Sequence, residues 1–208
     1  MAITYPRQLP AGIKIASSRM GLSVNQSIFA SELTRKVSVQ SIGAGTSDRW
    51  EGLWTTPHLS VASFATLSAW LLSLKGQEKT FYAYDPDRRM PNGVAVSASS
   101  TPLVKGALQA GRVLATDDWV ISTADLLKAG DYIEVNGQYV MVMEDVTSDG
   151  LGNATISIEP ALRGSPPDNA PVIFENPKMT ARLTNSTPTW ETDHRKSGPF
   201  SFAWQEVI

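Results

Sequence analysis

The sequence predicts a mainly β fold with one amphipathic helix and a small β-barrel inserted into a larger β body. Three observations predict it. Residues 60–76 carry a single helical pattern, because Phe64, Leu67, Leu71 and Leu74 recur at the spacing that gathers side chains on one helical face. Nearly everything else reads as short strands and turns, most sharply around Asn136-Gly137, which sits between two apolar runs. The composition turns small and polar over residues 90–102 and changes back at Asn176-Pro177, so that short strands are bracketed by long aromatic ones.

The 208 residues suffice for one large or two small domains, and 42% hydrophobic residues can fill a real core. A formal net charge of −2 provides no basic field for a phosphate backbone, which argues against specific nucleic-acid binding. The absence of cysteine removes disulfides, thiolate zinc sites and a cysteine nucleophile. Residues 1–10 lack a basic region followed by an apolar run, and no stretch approaches the ~20 apolar residues of a membrane span. The expectation is a chain neither secreted by that route nor inserted. The glycosylation patterns at Asn153 and Asn185 then read as chance matches.

In chain order, residues 1–19 hold two prolines and little periodicity. They read as an arm lying over something, with another chain as the candidate partner. Leu22, Val24, Ile28 and Phe29 suggest a short strand, and Leu33, Val37 and Val39 alternate with polar residues as a half-buried strand does. Residues 43–48 are glycine-rich, but a phosphate cradle needs a helix directly after it. The strand-like run 49–55 follows instead, so the loop reads as a hairpin turn. Ser60 is the expected N-cap of the helix, Trp70 and Leu72 widen its stripe, Lys75 suits its negative end, and Gly76 ends it. An aromatic strand follows over 79–84, closed by Asp85-Pro86. Residues 90–102 read as a linker. Strands are then expected at 111–116, 119–122, 131–135, 138–143, 154–158 (closed by Pro160) and 172–174, the size of an SH3-like or OB-like barrel. Residues 178–184 and 199–208 return to long strands, with Phe200, Phe202 and Trp204 on one face. The expected organisation is a body of residues 1–98 and 175–208 with residues 99–174 inserted.

Chemistry leaves little trace. Any Ser-His-Asp arrangement must use His58 or His194, the only histidines. Glu191, Asp193 and His194 could hold a metal, yet a charged solvated turn accounts for them better because no second histidine is near. Glu144, Asp145 and Asp149 loosely resemble a calcium loop without its spacing, and read as a hairpin end. Paired carboxylates for sugar hydrolysis need only spatial proximity and leave no spacing to read. Trp50, Trp54, Tyr82, Tyr84, Trp190 and Trp204 could stack on sugars, but aromatics at period two are more often core or interface. No catalytic, cofactor-binding or metal residue is assigned, and no enzyme activity is expected.

The helix, its glycine, the aromatic strand ending in Asp85-Pro86 and the terminal strand 200–206 together resemble the distal tail proteins of long-tailed bacteriophages. Residues 126–133, 136–140, 158–163 and 167–172 resemble a module common in phage tail proteins. The resemblance implies a tail-tube-like β-sandwich body flanked by the helix. It also implies a hexameric ring at the virion tail tip, between the tail tube protein and the tip hub protein, made in the host cytoplasm and free of cofactors. A virion carbohydrate-binding module for host attachment is the alternative.

Overall fold

The computed structural model describes residues 3–98, 100–187, 189–190 and 198–208. The fold is mainly β, with one α-helix, and its contacts divide the chain into two units. The first comprises Met1–Leu22, Arg49–Asp87 and Lys178–Ile208, and the second Ser23–Asp48 and Arg88–Pro177. Residues 23–48 and 88–98 therefore group with the segment that contains the short strands.

The first unit is a five-stranded sheet. Its order is β1 (Ser17–Ser23), β4 (Arg49–Thr55), β13 (Ser201–Glu206), β12 (Met179–Leu183) and β5 (Phe81–Ala83). The strand β13 is central, pairing Phe202 with Trp54 on one side and Trp204 with Leu183 on the other. Period-two alternation puts Trp54, Phe202, Trp204, Phe81 and Leu183 on one buried face. The helix α1 (Val61–Ser73) covers that face, with Trp70 against Phe81 and Phe202 at ring distances of 5.2 and 6.1 Å. Ser60 caps it as expected, its Oγ accepting from the Ser63 N–H at 3.2 Å. Leu67, Trp70, Leu71 and Leu74 are buried, whereas Leu72, expected in the stripe, is 57% exposed because it points a third of a turn away from Leu71. The chain leaves the helix through Lys75 and Gly76, both at positive φ, and a side chain on Gly76 would collide with the Ser186 backbone.

The N-terminal arm packs on its own chain over residues 5–8. The Arg7 N–H donates to the Thr80 carbonyl and the Arg7 carbonyl accepts from the Tyr82 N–H, extending the sheet beyond β5 by one parallel bridge. The Tyr5 hydroxyl donates to the Ser73 carbonyl at 2.7 Å, and the Trp70 indole to the Gln8 carbonyl at 2.8 Å. An otherwise open sheet edge is thereby covered.

The second unit contains a nearly closed six-stranded sheet. Its order is β11 (Val172–Ile173), β8 (Tyr132–Val135), β9 (Gln138–Val142), β10 (Ala154–Leu162), β7 (Gly111–Asp117) and β6 (Leu103–Val104). Hydrogen bonds from the Val104 N–H to the Ala170 carbonyl and from the Val172 N–H to the Pro102 carbonyl join the two ends of the sheet. The interior is apolar, with Leu114, Leu126, Leu127, Ile133, Val140 and Ile156 fully buried. The Asn136-Gly137 turn forms as expected: its φ angles of 49° and 78° are those of a type I′ hairpin, and Val135 pairs with Gln138 across it.

Three local expectations give way to tertiary context. Pro160 does not end β10. Residues 154–157 pair with β7 and residues 158–159 with β9, so the proline falls where the ladder shifts and its missing N–H costs nothing. Residues 119–122 form a turn rather than a strand, because Trp119 buries its ring against Phe174 and donates its indole N–H to Thr116 Oγ1. Residues 90–98 do not form a linker. Val94 and Ala95 donate backbone N–H groups to the carbonyls of Asp125 and Leu126, and Ala95 is fully buried; small side chains here allow close approach rather than freedom.

The remaining element is a two-stranded hairpin, β2 (Gln26–Ala30) and β3 (Val37–Ser41). A 3-10 turn over Ile42–Gly45 leads from it into β4. Because β4 pairs with β1 and β13, residues 43–48 are not the hairpin turn that the glycines suggested. At the hairpin base, buried Asp48 accepts the Asn25 N–H at 2.9 Å, and the Arg163 guanidinium donates to the Asp48 carbonyl at 2.8 Å.

Candidate functional site

Of the residues weighed for chemistry, only some lie among the described ones. His58 is an exposed loop residue, and Glu191, Asp193 and His194 lie outside the described residues. Among the described residues, no three metal-binding side chains come together. Asp149 spends its carboxylate on the turn it sits in, accepting from the Leu151 and Asn153 backbone N–H groups and the Asn153 amide, each at 2.8 Å. Those bonds, the Asn153 amide foremost, hold its carboxyl below the usual aspartate range. Asp145 is likewise held low, first by the Ala129 N–H and then by Lys128. Both behave as turn-fixing carboxylates.

The aromatics expected to stack on sugars or fill the core divide unevenly. Trp50, Trp54 and Trp204 are buried, and Trp54 lies 5.6 Å from Trp204 and 5.3 Å from Tyr84 between ring centres. Tyr82 is half-buried under the Lys178 ammonium. Trp190 is exposed and leans on Phe200.

What stands out is the hairpin. Ile28 pairs with Val39 and Ala30 with Val37, so four apolar side chains share one face, while Phe29, Ser27, Ser38 and Gln40 share the other. Ile28, Phe29, Val37 and Val39 are all more than half exposed, and Leu33 at the tip is 98% exposed. The half-buried strand expected over residues 33–39 starts only at Val37, with Leu33 in the turn, and none of these residues is buried. Among the described residues neither strand pairs with a third, which leaves both outer edges open there. Two strands alone are at best marginally stable in water, and an apolar face on such a ribbon gains most from a cover.

No model of a known protein family matches this chain, and no curated protein is significantly similar to it. The hairpin's alternating residues were visible in the sequence. Their exposure was not, since a half-buried strand and an uncovered one have the same period.

Proposed function

We propose that this protein is a structural, ring-forming subunit of a phage tail tip, a distal tail protein that connects the tail tube to the tip hub. The observation that carries the reading is the β2–β3 hairpin, with its exposed apolar face and two open edges, which a neighbouring copy can pair with and cover. The finer fold assignment belongs to the same proposal: the five-stranded sheet and its helix as part of a tail-tube-like β-sandwich body, and the six-stranded sheet as an SH3-like or OB-like barrel. The ring is hexameric in this reading, its neighbours are the tail tube and tip hub proteins, and no catalysis or cofactor is assigned. The carbohydrate-binding alternative draws on aromatics of which Trp50, Trp54 and Trp204 are in the core.

The test is sedimentation of the full chain across a concentration series, with averaged electron micrographs of the largest species. Closed rings are expected. Replacing Ile28 and Val39 by serine, at exposed positions, is expected to weaken association and leave thermal unfolding of the dilute monomer nearly unchanged. A chain that stays monomeric at high concentration, and occurs singly in the virion, sinks the reading.

A further inference from the structure

We infer that the tip of the β2–β3 hairpin docks on the acidic loop end of the barrel in a second copy, so that copies join head-to-tail. This rests on the assembly reading above and names the surfaces that meet.

The base of the hairpin and these loops lie at opposite ends of the same barrel. The 3-10 turn at the hairpin base lies against β10, and the Arg163 guanidinium holds the Asp48 carbonyl just past the end of β10. Leu162 pairs there with Gly111, the first residue of β7. At the other end Ala154 pairs with Thr116, and the loops 118–131 and 143–153 emerge. Hydrogen bonds from the Trp119 N–H to the Gly152 carbonyl, the Ser122 N–H to the Asp149 carbonyl and the Ser148 N–H to the Thr123 carbonyl lace these loops into one platform.

The two surfaces complement each other in charge and polarity. The platform exposes Ile121 and Leu151, the latter 83% exposed, among the carboxylates Asp118, Asp125, Glu144, Asp145 and Asp149. Lys128 is already bound to Asp125 and Asp145 at 2.6 and 2.9 Å, while Lys105 reaches Asn153 at 2.7 Å and Arg88 the Gly130 carbonyl at 3.2 Å, so the five exposed carboxylates still outnumber the cations at these loops. The hairpin tip presents Leu33 with Arg35 and Lys36, offset only by Glu32, and all four are exposed. An apolar anchor flanked by cations thus has a counterpart of exposed apolar side chains flanked by carboxylates. Because the hairpin is rooted at the end of the barrel far from its own platform, a second copy is the partner that carries the counterpart, and a plug and socket on different surfaces give a heterologous, head-to-tail contact that forms a ring when the rotation between copies closes.

The experiment is sedimentation velocity of the full chain over a concentration series, at low and at high salt. Four proteins are compared: wild type; Arg35→Glu with Lys36→Glu; Asp118→Asn with Glu144→Lys; and a chain carrying both sets. Asparagine at 118 keeps a residue that tolerates the positive φ found there. Each single set is expected to weaken association roughly tenfold, and the combined chain to recover most of the loss. High salt is expected to weaken the wild type. Leu33→Ser, at a position that cannot affect the core, is expected to weaken association without moving the thermal transition. If the wild type assembles but the reversals change nothing, or the combined chain is no better than either set, the tip contact is wrong and the ring reading stands. A wild type that is monomeric throughout overturns the tip contact, and the ring reading falls with it only if the chain also occurs singly in the virion.

Discussion

At Gly52 the backbone of β4 passes the Trp204 indole, and an added methyl group would stand 2.6 Å from Trp204 Cζ2 and 2.7 Å from the Arg19 carbonyl oxygen. Neither obstacle can swing aside, since the indole is packed against Trp54 and the carbonyl belongs to the neighbouring strand. Gly52→Ala is therefore expected to cost about 1–3 kcal/mol, as overpacking does. Gly21→Ala, with no heavy atom near and an ordinary φ, should stay within about 0.5 kcal/mol. Denaturant unfolding of both variants measures the difference, and equal losses would show that Trp204 is not seated over Gly52. Among glycines, Gly137 was legible in the sequence because a type I′ turn makes its demand on φ locally. Gly52 was not, because what it must avoid comes from strands distant along the chain.

The helix was legible at the scale of elements, since cap, stripe and terminating glycine lie in one short window. Its width was not: Leu72 is as apolar as Leu71 but faces outward. Leu71→Ala is expected to cost about 2–5 kcal/mol, and Leu72→Ala less than about 0.5 kcal/mol. A reversal of that order in thermal or denaturant unfolding would put the opposite face against the sheet. The arm escaped sequence reading because it is held by single hydrogen bonds to Ser73, Trp70 and β5 rather than by a periodic face. Deleting residues 1–12 should consequently lower the melting temperature of the monomer itself. The Trp70 indole loses its acceptor and β5 its edge cover, each lost hydrogen bond being worth about 1 kcal/mol. An unchanged melting temperature would mean that the arm is not held on its own subunit.

For the whole molecule, strand content and the one helix could be read from periodicity, but the grouping of segments could not. Residues 23–48 and 88–98 join the barrel through contacts that leave no compositional mark, such as Arg163 to Asp48 and Ala95 to Leu126. The members of the barrel's buried cluster all fall between Ala95 and Phe174. Residues 88–177 expressed alone are therefore expected to unfold in one cooperative thermal transition, and a random-coil spectrum would show that the barrel depends on the rest of the chain. The central place of β13 has a consequence for biosynthesis. Its residues, Ser201–Glu206, are translated after every strand they hold together, so β1 and β4 must wait unjoined to β12 and β5 while the ribosome finishes. By then the whole of the barrel's core, through Phe174, has been made. A ribosome stalled before Ser201 should carry a folded barrel beside an open, aromatic half-sheet, the state in which this chain is most exposed to aggregation and most in need of a chaperone.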